Sequence, residues 1–217
     1  MDKKDINFLF VGVGGQGILT ASDIAAEVGL EAGYDAKKSE VHGFSQRGGV
    51  VESHVRWGDD VAAPLAEKGT VDYLIATELL EAARWIEWLR PGGAVLVNHQ
   101  RIPPMSVTVG DAVYPAEEDI LATLRARTDD VTVIEGLAIA ERLGNPRLAN
   151  TVLLGVLSTR LDVPPETWLA VIERRVPPKY VELNRQAFWE RRRSGEARTS
   201  APAPSPPPSQ TRPRTAA

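Results

Sequence analysis

The sequence predicts an α/β fold, a Rossmann-like doubly wound and mostly parallel sheet followed by C-terminal helices. Three observations predict it. Compact apolar runs alternate with amphipathic segments through the first 135 residues; a glycine loop directly follows the first apolar run; after Gly136 the pattern turns helical. Ile6–Val11 reads as a buried strand and Ile18–Leu30 as a helix closed by Gly29 and Gly33. Asp35–Ser39 is a weaker extended stretch that leads into a loop, Glu40–Gly49. Val50–Trp57 alternates Val51, Ser53, Val55 and Trp57 against Glu52, His54 and Arg56, a half-exposed strand pattern with His54 on the outward phase. Val71–Ala76 is a second buried strand. The clearest helical periodicity covers Glu78–Leu89, with Pro91-Gly92-Gly93 ending it. Ala94–Asn98 and Thr132–Glu135 are short strands. Helices are expected at Leu137–Leu143, Arg147–Leu161, Pro165–Arg175 and Lys179–Arg193, covering one edge or face of the sheet.

Composition bounds the function. The chain has 217 residues, 43% hydrophobic and 25% charged, with 25 Lys+Arg against 29 Asp+Glu. One folded domain over 1–193 suits that length. Residues 194–217 are rich in Pro, Ser and Ala, with no aromatic or branched aliphatic residue, and read as a disordered tail. A net charge of −4 offers no general attraction to nucleic acid. No apolar run reaches the roughly 18 residues of a membrane span, and the polar start leads into a strand, so a cytoplasmic protein is expected. Cysteine is absent, which excludes disulfides, thiolate nucleophiles and Cys-ligated zinc or iron–sulfur clusters on this chain.

Two loops carry the chemistry. Gly12-Val-Gly14-Gly15-Gln16-Gly17 satisfies the dinucleotide fingerprint G-x-G-x-x-G, between a strand and a helix whose N-terminus favours an anion. The acidic partner expected about 20 residues on is poorly supplied: neither Asp35 nor Glu40 closes an apolar strand. A nucleotide, or a glycine turn used for packing or for a phosphate-bearing partner ligand, remain open. The second loop, Ser39-Glu40-Val-His42-Gly-Phe-Ser45-Gln46-Arg47-Gly-Gly49, combines glycines with directional polar groups, and Arg47 can hold a carboxylate or phosphate bidentately. It would leave the carboxyl end of the second strand, beside the first loop. His42, His54 and His99 form no metal-binding spacing, no nucleophile elbow occurs, and Glu78 and Glu81 fit helix capping. Trp85 and Trp88 suit a core or an interface.

Four pieces in order carry a resemblance: Gly12–Gly17 after a strand; Ser39–Gly49; Glu78-Leu-Leu-Glu-Ala-Ala-Arg84 with Leu89-Arg-Pro-Gly-Gly93; and Asn150-Thr-Val-Leu-Leu-Gly155. Asn184-Arg-Gln-Ala-Phe188 adds to them. Over about residues 6–190 the chain resembles the gamma subunit or domain of 2-oxoacid:ferredoxin oxidoreductases, in particular its indolepyruvate branch. The resemblance implies oxidative decarboxylation of a 2-oxoacid to an acyl-coenzyme A, with ferredoxin as acceptor. It also implies that thiamine diphosphate, Mg and [4Fe-4S] clusters sit on a larger alpha subunit and that coenzyme A is the co-substrate, while this chain alone binds no cofactor. Gly12, Gly14, Gly15, Gln16, Gly17, Glu40, His42, Ser45, Gln46 and Arg47 would then face cofactor, coenzyme A or partner. His42 is a candidate donor or acceptor near the thiamine, or else makes a structural hydrogen bond within its loop. A stand-alone NAD(P) dehydrogenase and a non-catalytic scaffolding module are the competing functions.

Overall fold

A computed structural model describes residues 5–42 and 49–199. In chain order the elements are β1 (Ile6–Val13), α1 (Ile18–Glu31), β2 (Asp35–His42), β3 (Val50–Gly58), β4 (Val71–Ala76), α2 (Leu79–Trp85), β5 (Leu89–Asn98), α3 (Met105–Thr108), α4 (Glu117–Arg127), β6 (Val131–Ile134), α5 (Gly136–Arg142), α6 (Ala149–Ser158), α7 (Pro165–Arg175) and α8 (Val181–Thr199). The six strands form one sheet in the order β2-β3-β1-β4-β5-β6. β1, β4, β5 and β6 run parallel, and β3 is inserted antiparallel between β1 and β2. β2 therefore points the same way as β1. The carboxyl ends of β1, β2, β4, β5 and β6 meet along one edge.

Each face of the sheet buries its own apolar cluster. On the first face, Phe8, Phe10, Val55, Trp57 and Ile75 pack against α1, α5, α6, α7 and α8, as expected for the C-terminal helices. On the second, Leu9, Val11, Leu74, Val95 and Val97 pack against α2 and α4. Trp57 fastens α1 to β3. Its Nε1 donates to the Ala25 carbonyl at 3.1 Å and its ring lies over Gly29, where a Cβ would come within 2.4 Å. Phe8 and Phe10 alternate with Leu9 and Val11 between the faces, and each such burial contributes roughly 1.5–3 kcal/mol.

Several boundaries differ from the sequence expectation. Glu40, Val41 and His42 extend β2 instead of starting a loop, because β3 pairs with them through Val51. The helix expected to Leu89 stops at Trp85, and a 3₁₀ turn, Ile86–Trp88, hands the chain to β5. Pro91-Gly92-Gly93 lies inside β5 as an irregularity in its pairing with β4, and there Gly92 takes φ 72°. The helix expected from Arg147 to Leu161 divides into a 3₁₀ turn, Pro146–Leu148, and α6, and α8 likewise follows a 3₁₀ turn at Pro178–Tyr180. α8 continues past Arg193. α3 and α4 were not anticipated. α4 buries only Ile120 and Leu124 among many charged residues, so its periodicity is faint. His54, placed outward by alternation, is buried: the Ala66 N–H reaches its Nδ1 at 3.3 Å, and Trp88 meets its ring edge-on at 5.2 Å. Burial holds its pKa below the usual imidazole value.

α6 and α8 approach closely at Gly155, where a Cβ would lie 2.2 Å from the Phe188 carbonyl oxygen. Gly155→Ala must push the two helices apart. It is expected to lower stability by roughly 1–3 kcal/mol in denaturant unfolding of the full chain.

Candidate functional site

The first glycine loop closes on itself. Gly17 caps α1 in the left-handed region at φ 78°. A Cβ on Gly12 would sit 1.8 Å from the Thr77 Oγ1, so β1 and β4 can meet at their carboxyl ends only with glycine there. The Gln16 side chain then folds back over the turn. Its Oε1 accepts from the Val13 N–H at 2.8 Å and the Thr77 hydroxyl at 2.7 Å. Its Nε2 donates to the Thr77 carbonyl at 3.1 Å and to the Gln100 Oε1 at 3.0 Å. From α6, the Asn150 Nδ2 donates to the Gln16 carbonyl at 2.7 Å, closing the loop from the other side. Asn98, at the end of β5, donates to the Gln100 Oε1 at 3.1 Å and accepts the Leu137 N–H at 3.2 Å. This amide network joins β1, β4, β5, α5 and α6.

The two loops meet. The Gly14 N–H donates to the Gly49 carbonyl at 2.8 Å, where the second loop rejoins β3. The expectation that they lie side by side at the carboxyl edge is therefore met at its described end. Ser45, Gln46 and Arg47, and the side chain of His42, lie outside the described residues. Glu40 sits on the edge strand and pairs with Lys38, which also holds Asp23 of α1 at 2.5 Å.

Behind the first loop opens a cleft of about 640 Å³. Gly15, Gln16, Gly17 and Thr20 form one wall; Asn150 and Tyr180 stand among the residues opposite. Arg147 lies at its exposed end, and Arg175, also lining it, is held by Glu27 at 2.5 Å. No carboxylate and no histidine lines it among the described residues. Such a cleft can bind a polar or anionic group through amides and the positive end of α1. Asp35 begins β2 at the far end of the sheet, where it accepts the Val61 N–H at 2.8 Å. The strand beside β1 is β3, so neither acidic candidate stands where a ribose would need it.

Two polar clusters lie on this edge; the sequence shows the capping role of Glu78 but not its other partners, and nothing of the second. Glu78 caps α2 by accepting the Glu81 N–H at 2.8 Å, and also takes the Ile102 N–H at 3.1 Å and the Tyr114 hydroxyl. Burial first, then that hydrogen bond, pushes the Tyr114 phenol well above its usual range. Next to Gln100, the His99 Nδ1 lies 2.7 Å from the Glu135 Oε1 and its Nε2 lies 3.0 Å from the Glu117 Oε2. A neutral imidazole has one N–H, so the double contact suits the protonated ring. Glu117 foremost, with Glu135, raises its pKa above the ordinary 6.5.

The fold and the edge define a Rossmann-like α/β module whose glycine turn is satisfied from within its own chain. Residues 7–192 match the family model described as pyruvate ferredoxin/flavodoxin oxidoreductase. Indolepyruvate oxidoreductase subunit IorB of Pyrococcus horikoshii is 39% identical over 188 residues, 85% of this chain and 93% of that protein. The Archaeoglobus fulgidus protein of the same name is 40% identical over 185 residues, 84% and 92% of the two chains. Among solved structures, the keto/oxoacid ferredoxin oxidoreductase gamma subunit of Geobacter sulfurreducens superposes with a TM-score of 0.64 at 27% identity, covering 88% of this chain and 99% of that one. The chain belongs to the pyruvate ferredoxin/flavodoxin oxidoreductase family.

Two measurements check this geometry. Thr77→Val removes a hydroxyl donor from the buried network and should cost about 1–2 kcal/mol in unfolding experiments. Because the folded His99 pKa is raised, its contribution to stability is complete below about pH 6.5 and fades as pH rises through the higher folded value. Wild type should therefore lose stability relative to His99→Gln between pH 6 and 8, read as the difference in melting temperature.

Proposed function

We propose that this chain is the cluster-free subunit of a 2-oxoacid:ferredoxin oxidoreductase of the indolepyruvate type, active only with a larger subunit. The supporting observation is the 39% identity to an indolepyruvate oxidoreductase subunit along 93% of that protein's length. The complex would decarboxylate an arylpyruvate oxidatively, transfer the acyl group to coenzyme A and pass electrons singly to ferredoxin. The larger subunit would bring thiamine diphosphate, Mg and [4Fe-4S] clusters. Cluster ligands must come from there, since this chain has no cysteine. Thiamine diphosphate supplies the decarboxylation chemistry when bound. The described residues of this chain offer a cleft suited to binding and orientation, lined by no carboxylate or histidine.

In this reading the two loops form one rim that walls the active centre or the coenzyme A entry. Arg47 and the glycine-loop amides are the anion contacts, and Glu40, His42, Ser45 and Gln46 shape the rim. The exposed Met105, Val109 and Val113, on the connection that leaves the carboxyl end of β5, offer an apolar surface for a partner. No described helix is long and apolar enough to cross a membrane, which fits a complex serving ferredoxin in the cytoplasm.

The purified chain should turn over neither indolepyruvate nor NAD(P)H. Co-expressed with the larger subunit, it should support indolepyruvate- and coenzyme A-dependent reduction of ferredoxin. NAD(P)-linked turnover by the chain alone would refute the proposal. Within the active complex, Arg47→Ala should raise the KM for coenzyme A or the oxoacid about tenfold or more while assembly is unchanged.

A further inference from the structure

The β2–β3 hairpin carries a carboxylate, that of Glu52, one oxygen of which has no donor among the described residues. On β3, Glu52 stands opposite Val11 of β1 and Val41 of β2, so it shares the second face of the sheet with both. Its Oε2 is shielded from solvent and makes no hydrogen bond among the described residues. Desolvation raises its pKa above the ordinary carboxylate value. Two residues along the same face, His54 is occupied by the Ala66 N–H and the Trp88 ring. On the other side Val50 follows, opposite Val13.

Covering elements stop short of this corner. α1 packs over β2 and β3 on the first face, while on the second α2 packs on β1, β4 and β5. Val41 is left 45% exposed and Val50 38% exposed, beside the second loop. A half-buried carboxylate without a donor, between two exposed valines, is costly in the free chain. It becomes favourable when a donor and an apolar cover arrive together.

We propose that this corner is a docking surface on which the larger subunit sets a cationic side chain, Arg or Lys, against the Glu52 carboxylate and apolar side chains against Val41 and Val50. Charge complementarity selects the occupant: an unpaired acid calls for a cation, and a second copy would bring another Glu52 to a symmetric contact. The inference rests on the chain working as a subunit, and it adds which surface and which chemistry make the contact.

The test measures binding of the full-length chain to the larger subunit by biolayer interferometry, with the melting temperature of each free variant. Glu52→Gln and Glu52→Leu should weaken binding on the order of 10- to 100-fold, and Val41→Asp similarly. The free Glu52→Leu chain should melt at or above the wild-type temperature, because an orphaned carboxylate is removed. Leu30→Asp, at the far end of α1, should bind as wild type. Wild-type affinity in the Glu52 and Val41 variants overturns the inference. So does a marked drop in the melting temperature of both Glu52 variants, which means that the carboxylate is used within the chain. Self-association lost in Glu52→Leu makes a second copy the occupant and also overturns it. Absence of any wild-type complex would instead remove the subunit reading itself.

Discussion

One carboxamide, that of Gln16, holds the functional edge together. It joins the last residue of β1, the first residue after β4 and the second residue after β5, using donor and acceptor alike. In a dinucleotide-binding fold, a pyrophosphate occupies the equivalent turn and the glycines make room for it. Here Gly12 makes room for Thr77, and a Cβ on Gly17 would come within 3.1 Å of the Asn150 amide nitrogen. The fingerprint spacing is thus met by packing demands of the chain itself. A side chain that fills the turn fixes its shape before any ligand arrives, and binding then costs less ordering.

The antiparallel insertion of β3 has a second consequence. A crossover from β2 would have carried the chain over the sheet and away from β1. The hairpin instead returns it directly between them, which brings Gly49 against Gly14. The described end of the second loop is thus tied to the glycine turn by one backbone hydrogen bond. The polar edge strand β2, with Lys37 and Lys38, is also protected from edge-to-edge pairing by its charge.

Where a segment's surroundings follow from its own pattern, the sequence is a good guide. α1 and α7 combine clear periodicity with glycine or proline boundaries, and α7 runs from Pro165 to Arg175 as read. Misreadings arise where tertiary contacts overrule local pattern. Alternation assumes one wet face, but α1 covers one side of β3 and the segment around Ala66, with Trp88, covers His54 on the other. Pro91-Gly92-Gly93 looks like a stop, but parallel pairing of Leu89 with Val71 starts the strand before it. At the site, Gln16 was visible through its motif. Thr77, Asn98 and Gln100 carry no spacing signal, since their partnership exists only once three strands lie side by side. Both His99 carboxylates come from other elements, 18 and 36 residues away.

A division of labour follows from the chemistry this chain lacks and the surfaces it has. Its described cleft offers amides, hydroxyls and guanidinium groups, which bind and orient, and no carboxylate or histidine stands among them. Three titratable groups with displaced pKa values lie away from it: His99 clasps two helix starts, His54 is packed under Trp88, and Glu52 stands at the hairpin corner. Of these three, Glu52 keeps an oxygen without a donor among the described residues, and it lies on the same hairpin as the second loop. A carboxylate completed by a partner's cation would lock the hairpin, and through the Gly49–Gly14 hydrogen bond the glycine turn, in the assembled complex. Association would then shape the rim, so that a binding surface is finished only where the partner's reactive centre is present.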